Sequence, residues 1–168
     1  RQDRWARSLY AWRLFMSEPG DFDDYLASKG PLYYTAFWDL LTESFGREPI
    51  VAFQEELRDA PRDTAALLAR EAGGELDPKR VRLGRVNPSR SERGLRLMRA
   101  YNRRFPKQAH KGALGERWTE DLEPAIPAGR LERIRELYDE DWRTVLGRVR
   151  ARRELLSPAL IAELEADA

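Results

Sequence analysis

One short apolar run, Pro49–Phe53, has the composition of a β-strand, and it constrains the fold of this chain more than any other feature. Its sequence, Pro-Ile-Val-Ala-Phe, is apolar at every position and lies between chain-breaking residues. That pattern is typical of a strand buried on both faces of a parallel sheet. One strand cannot form a sheet. Either its neighbours belong to an N-terminal portion that precedes Arg1, or the run is not a strand.

Helical periodicity dominates the rest of the chain. The segment Arg1–Phe15 repeats aromatic and aliphatic residues at the spacing of one helix face, and Leu32–Phe45 is rich in aromatic side chains. Because aromatic residues contribute most to buried area, we predict that the aromatic stripe of Leu32–Phe45 is core. In the first helix the residues at helical spacing are Trp5, Leu9, Trp12 and Phe15/Met16. Capping residues and breakers predict further helices at Asp21–Ser28, Asp59–Ala72, Ser89–Phe105, Ala128–Leu146 and Ala159–Ala166.

The composition is that of a folded globular protein. Charged residues make up 35% of the 168 residues and apolar residues 42%, which excludes a disordered chain. The absence of cysteine excludes disulfides and thiolate metal sites and is compatible with a reducing compartment. No apolar run has the length of a membrane span, and the first residues do not have the pattern of a signal peptide. We therefore expect a cytoplasmic protein, and the start at Arg1 suggests a piece of a longer chain.

Positive charge is concentrated in one part of the chain. The net charge is only +1, so any basic surface must be local. In the helix Ser89–Phe105 the residues Leu95, Met98, Tyr101 and Phe105 share one face, and arginines occupy the rest. Between Lys79 and Lys111 one anion, Glu92, stands against twelve cations: Lys79, Arg80, Arg82, Arg85, Arg90, Arg93, Arg96, Arg99, Arg103, Arg104, Lys107 and Lys111.

The segment Ala109–Trp118 follows this basic region and gathers the single histidine, two cations, two glycines and a tryptophan. A glycine next to a cation lets backbone N–H groups approach an oxyanion that the side chain then neutralises. The pair Lys111-Gly112 is therefore predicted to contact an anion, within an ordered loop from Pro106 to Pro127.

Three stretches, in order, resemble the sulfotransferases that use 3′-phosphoadenosine-5′-phosphosulfate. Arg1–Tyr10 resembles the segment in which an arginine and a helix serine hold the 3′-phosphate of the donor. Ile50–Pro61 is similar to the strand and helix start that follow in that family, with Gln54 in place of the usual tyrosine. His110–Trp118 resembles the loop that closes over the same phosphate, with His110 in place of the usual arginine.

The resemblance implies the C-terminal part of an α/β, P-loop NTPase-like fold, mostly helical with one or a few parallel strands. It implies sulfuryl transfer to a small-molecule or carbohydrate acceptor, without a metal and without nucleic acid. The sulfotransferase-like part would occupy residues 1–146, followed by a basic segment and terminal helix at 147–168. The family's sulfate-binding loop has no counterpart here, so the 168 residues are expected to be inactive, with no catalytic residue assigned. The donor would be bound by Arg1, Ser8, Lys111 and Gly112.

Two other interpretations remain open. The chain could be a helical interaction module whose arginine-rich helix binds an acidic partner or nucleic acid. It could also be a different nucleotide-dependent transferase or kinase, in which case ATP would bind with Mg²⁺.

Overall fold

The structure is a computed structural model that describes residues 1–16, 20–80, 91–104 and 124–166. Helices make up 72% of these residues, and no strand occurs among them. The prediction of an α/β, P-loop NTPase-like fold with parallel strands is therefore wrong. Besides a short 3-10 helix at Pro78–Arg80, the described elements are α1 (Gln2–Phe15), α2 (Phe22–Ala27), α3 (Tyr34–Phe45), α4 (Gln54–Asp59), α5 (Pro61–Glu71), α6 (Glu92–Arg104), α7 (Arg130–Leu137), α8 (Asp139–Arg152) and α9 (Pro158–Ala166).

The run Pro49–Phe53 is irregular backbone because side chains take the hydrogen bonds that neighbouring strands would have made. Arg152 Nη1 donates to Pro49 O at 3.0 Å, and Arg153 Nη2 donates to Val51 O at 2.9 Å. The backbone N–H of Phe53 donates to Glu56 Oε2 at 3.0 Å. Backbone polar groups need partners when they leave water, and here guanidinium and carboxylate groups supply them. The apolar composition was correct evidence for burial of Phe53 but not for a sheet.

Local helix signals were more reliable. Helix α2 begins where predicted, with Asp21 Oδ1 accepting the N–H of Asp24 at 2.9 Å, and α9 begins with Ser157 Oγ accepting the N–H of Leu160 at 3.2 Å. Helix α6 begins at Glu92, and Ser91 Oγ accepts the N–H of Gly94 at 3.1 Å. Ser89, where the predicted helix began, lies outside the described residues.

The predicted helix Ala128–Leu146 is two helices, α7 and α8, separated at Tyr138. Tyr138 has φ −111° and ψ 13°, which ends the first helix. Its hydroxyl accepts the backbone N–H of Leu32 at 3.0 Å, and its ring meets that of Tyr33 edge-on at 5.1 Å between centroids. Helix α8 then continues through Gly147 to Arg152. The division of the chain into residues 1–146 and 147–168 stays a prediction.

The chain forms two compact units. Unit 1 consists of Arg1–Tyr33 with Asn87–Trp142, and unit 2 consists of Tyr34–Val86 with Arg143–Ala168. In unit 1, α1 packs against α2, α6 and α7. In unit 2, α4 packs against α5 and α9.

The core of unit 1 is built around Tyr10, which is fully buried. Its ring meets Phe22 edge-on at 5.2 Å between centroids and lies 5.7 Å from Tyr25. Such tilted aromatic pairs add to the free energy gained from burying their area. The remaining buried members of this cluster are Ala6, Leu14, Leu95, Ala125, Ile126, Ile134 and Tyr138.

Unit 2 has a smaller set of buried side chains. Trp38, Leu67 and Val149 are buried and line a cavity of about 20 Å³ next to Pro49–Val51. A fully buried carboxylate, Glu56, lies among the apolar residues of this unit. A buried charge requires a partner, and its partner is described below.

Candidate functional site

Of the four residues predicted to bind the donor, the structure describes two, Arg1 and Ser8. Arg1 is the residue before α1; its side chain is 5% exposed and its Nε lies 3.6 Å from Asp3 Oδ1. Ser8 is exposed on α1, about two helical turns after Arg1. Lys111 and Gly112, with the rest of Ala109–Trp118, lie outside the described residues. The phosphate-binding role of these four residues therefore stays a prediction.

Helix α1 turns most of the apolar stripe noted in its sequence toward solvent. Trp12 is 61% exposed and Trp5 39%, and Phe15 and Met16 are exposed beside them. We call Trp5, Trp12, Phe15 and Met16 the aromatic face. Leu9 of the same stripe packs against the core. The prediction that the aromatic stripe of Leu32–Phe45 is core is largely wrong, because Trp38 is buried but Tyr33, Phe37 and Phe45 are exposed.

The opposite side of α1 is buried instead, and its residues are Gln2, Ala6, Tyr10 and Leu14. Their spacing of four residues also keeps them on one helix face. Gln2 can be buried because its Nε2 donates to Asp141 Oδ2 at 2.6 Å, which satisfies the amide. Sequence reasoning missed this face because a glutamine at its start weakens the apolar pattern.

Helix α6 also buries two polar residues, and one of them, Arg99, had been placed among the arginines outside the apolar face. Arg99 is 9% exposed, and its Nη1 donates to Pro124 O at 2.6 Å. Asn102 is 2% exposed, and its Nδ2 donates to Leu14 O in the last turn of α1 at 2.8 Å. The last carbonyls of a helix lack intrahelical partners, so this bond fixes the end of α1 against α6. Arg99 is thereby removed from the set of arginines that could bind a ligand.

Four other arginines of α6 lie on one side of the helix. Arg93, Arg103 and Arg104 are exposed, and Arg96 is partly exposed with its Nε 3.2 Å from Glu92 Oε1. Positions three, seven and ten residues apart return to the same face of a helix. We call Arg93, Arg96, Arg103 and Arg104 the basic face.

The C-terminal ends of α1 and α6 lie together in unit 1. Because Asn102 bonds to Leu14, the residues that follow each of them, Arg103 and Phe15, lie at the same end of unit 1. The charges of α6 also act on a side chain of α1. Burial raises the pKa of the Tyr10 phenol above 10.0, while the positive charges of Arg99 and Arg103 act in the opposite direction. The residue of α1 that these arginines influence is thus Tyr10, on the buried side of the helix.

In unit 2 the buried carboxylate of Glu56 binds Arg153 through two parallel hydrogen bonds. Arg153 Nη1 donates to Oε1 and Nη2 donates to Oε2, each at 2.7 Å. The backbone N–H of Leu156 donates to Oε1 at 3.0 Å, and that of Phe53 donates to Oε2. With four hydrogen bonds and no exposure to solvent, Glu56 is held as a structural carboxylate. Glu56 thus lies in the first turn of α4 and is an ion-pair residue.

The Glu56–Arg153 pair predicts a specific dependence of stability on pH. Burial alone would raise the pKa of Glu56, but the bonds from Arg153, Leu156 and Phe53 outweigh it and lower that pKa below 4.5. A carboxyl whose folded pKa is depressed stabilises the fold above its unfolded pKa and loses this effect as pH falls through the folded pKa. We expect urea titrations to show a loss of stability below about pH 4.5 that is smaller in a Glu56→Gln variant. Equal pH profiles for the two proteins would contradict this.

A shallow groove of about 660 Å³ also lies on unit 2, beside α5. Its walls carry Asp63, Arg70, Glu75 and Asp77 above Leu67 and Leu76. Asp77 accepts the backbone N–H of Lys79 at 2.9 Å and pairs with Arg80, so its carboxylate serves the local turn. Among the described residues, no group of three or more histidine, cysteine or acidic side chains could hold a metal ion.

No helix within the described ranges is both long and apolar enough to cross a membrane. Comparisons with protein-family models, curated proteins and solved structures found no match to this chain.

Proposed function

We propose that this chain is a helical binding module that binds an anionic partner through the basic face of α6. The observation that carries this proposal is the segregation of arginines within that helix. Leu95, Arg99 and Asn102 face the protein, whereas Arg93, Arg103 and Arg104 are exposed. The bonds of Arg99 and Asn102 to backbone carbonyls hold the helix in this orientation.

Guanidinium groups are suited to this role. Each presents several donors in a planar fork that matches carboxylate and phosphate oxygens, and each stays charged at any physiological pH. The net charge of +1 means that attraction comes from this local surface and not from the field of the whole molecule. A rigid helix keeps the charges at a constant spacing along the partner.

The test compares two triple variants by fluorescence titration with labelled short-chain polyphosphate. Arg93, Arg103 and Arg104 are changed together to glutamine in one variant. In the control, the exposed arginines Arg47, Arg62 and Arg70 of unit 2 are changed to glutamine. Each variant takes the net charge from +1 to −2, since three positive charges are removed.

We expect the α6 variant to bind about tenfold or more weakly and its salt dependence to fall by about one unit of slope per lost phosphate contact. The control variant should bind like the wild type. If the two variants lose affinity equally, attraction follows net charge and the proposal is wrong. Circular dichroism on both variants checks that their helices are retained.

Sulfuryl transfer remains a separate prediction that rests on sequence motifs alone. Its donor site would show saturable binding of adenosine 3′,5′-bisphosphate in calorimetry, weakened by Lys111→Ala and little changed by Arg96→Ala. If this ligand does not bind the full-length protein, the sulfuryl-transfer hypothesis is wrong, and the anion-binding proposal is unaffected. ATP binding that depends on Mg²⁺ would favour the kinase-like alternative.

A further inference from the structure

The groove beside α5 in unit 2 has the dimensions of a binding site. Its volume is about 660 Å³, which lies within the range of about 300–1,000 Å³ typical of ligand pockets. One wall is a single face of α5, because positions three, four and seven residues apart lie on the same side of a helix. The residues of this wall are Asp63, Ala66, Leu67 and Arg70. The other wall is the turn at residues 74–77.

Hydrogen bonds hold the turn that forms the second wall. Gly73 has φ +82°, a left-handed conformation that ends α5. The backbone N–H of Gly74 then donates to Ala69 O at 2.8 Å. Farther along, Asp77 Oδ1 accepts the N–H of Lys79 at 2.9 Å. The groove is thus formed before any ligand arrives, so little conformational entropy is lost when its walls receive one.

The lining of the groove combines apolar and acidic side chains. Leu67 is buried and Leu156 is partly buried, whereas Leu76 remains 41% exposed. Asp63 and Glu75 are exposed, and within the described ranges neither carboxylate makes a hydrogen bond or an ion pair. The groove therefore offers an apolar surface beside carboxylates that are available to a cation.

We infer that this groove binds a basic peptide segment with aliphatic side chains, supplied by a partner protein. Lysine or arginine side chains of the peptide would lie beside Asp63 and Glu75, and an aliphatic side chain would cover Leu76. Arg70, the cation of the lining, would donate to a carbonyl of the peptide backbone. This inference goes beyond the proposed function, which concerns α6 of unit 1.

Arginines of unit 2 already bind backbone carbonyls of an irregular segment. Arg152 Nη1 donates to Pro49 O at 3.0 Å, and Arg153 Nη2 donates to Val51 O at 2.9 Å. Arg70 would make the same bond to a bound chain. A basic peptide thus supplies what all three kinds of lining group require: cations for the carboxylates, an aliphatic side chain for the leucines and a carbonyl for the guanidinium.

Other occupants satisfy only some of these groups. A polyamine would pair with the carboxylates, but it has no acceptor for Arg70 and would place like charge beside it. An acidic peptide would meet like charge at Asp63 and Glu75. The basic face of α6 from a second copy would bring arginines without an aliphatic side chain to cover Leu76.

The experiment measures fluorescence anisotropy of a labelled hexapeptide of alternating lysine and leucine. The comparison peptides replace leucine with serine or lysine with glutamate. One variant combines Asp63→Asn with Glu75→Gln, and its matched control combines Glu43→Gln with Glu165→Gln, two exposed acids of α3 and α9. Each pair takes the net charge from +1 to +3, since two negative charges are removed.

A second variant tests the apolar part of the groove. It is Leu76→Ser, and its matched control is Leu57→Ser, which changes a 44%-exposed leucine of α4. Because all these side chains are exposed, the substitutions should leave the fold intact, and circular dichroism checks this.

We expect the groove acid variant to bind the lysine–leucine peptide about 2- to 30-fold more weakly, the range for two exposed charge pairs. Leu76→Ser should weaken binding about threefold or more, because a leucine loses its apolar contact. The control variants should bind like the wild type, and both comparison peptides should bind more weakly than the lysine–leucine peptide. Binding of polyphosphate should stay unchanged in Leu76→Ser, since the basic face of α6 is intact.

Several results would overturn the inference and leave the proposed function untouched. Equal losses in the two acid variants would mean that the peptide responds to net charge alone. Equal binding of the lysine–serine peptide, together with no effect of Leu76→Ser, would mean that the leucines are not used. Spermidine that displaces the peptide at equal or lower concentration would make a polyamine the occupant. A dimer in sedimentation that Leu76→Ser abolishes would make a second copy the occupant.

Discussion

Changing Arg153 to alanine is expected to destabilise unit 2 by about 3–5 kcal/mol, because it leaves the Glu56 carboxylate buried without its cation. Glu56 is fully buried, and the Arg153 side chain is only 10% exposed. Loss of the guanidinium also removes the donor to Val51 O, so a backbone carbonyl loses its partner as well. The free energy of unfolding, measured by urea titration, reports the total loss.

Amide hydrogen exchange shows where that loss occurs. Exchange should accelerate in residues 49–57 and 153–160, which Glu56 and Arg153 hold together, and stay near wild-type rates in α1. The control is Arg150→Ala, an exposed arginine three residues earlier on α8, which should change stability by no more than about 0.5 kcal/mol. If the two substitutions lower the free energy of unfolding by similar amounts, the Glu56–Arg153 ion pair does not stabilise unit 2.

Changing Tyr10 to alanine is expected to cost unit 1 about 3–5 kcal/mol, the range for removing a large buried ring. Tyr10 is fully buried, and it contacts both Phe22 and Tyr25. Neighbouring rings cannot fill the space without leaving their own positions, so a cavity remains. Near-ultraviolet circular dichroism during urea unfolding follows the loss of this aromatic packing.

Tyr10→Phe separates the ring from its hydroxyl. The hydroxyl donates to Gly20 O at 3.3 Å, a long hydrogen bond, so its removal should cost less than about 1.5 kcal/mol. If the phenylalanine variant is as unstable as the alanine variant, the hydroxyl and not the packing of the ring stabilises the core.

Signals confined to a few residues predicted the local structure well. Asp21 and Ser157 are residue types typical of helix N-caps, and each accepts a backbone N–H group of the helix that follows it. The helical nature of Gln2–Phe15 followed from its periodicity. These features depend on neighbours within about one helical turn, which the sequence shows directly.

Which side of a helix is buried could not be predicted, because it depends on residues that are distant in the sequence. Either side of α1 could have been buried, and the choice follows in part from Gln2 finding Asp141, 139 positions away. Arg99 looked like a surface arginine because its acceptor, Pro124 O, follows 25 residues later. The arginines of α6 were therefore noticed from the sequence, while the burial of Arg99 and the exposure of the tryptophans of α1 were not predicted.

The guanidinium bonds to the run Pro49–Phe53 also bear on solubility. Short apolar segments rich in β-branched and aromatic residues are those that add onto strands of other molecules and start aggregates. Such growth requires free backbone donors and acceptors along the segment. In this protein Arg152 and Arg153 already occupy the carbonyls of Pro49 and Val51, and Glu56 occupies the N–H of Phe53. We therefore expect these two arginines to lower the tendency of the segment to pair with strands of other chains.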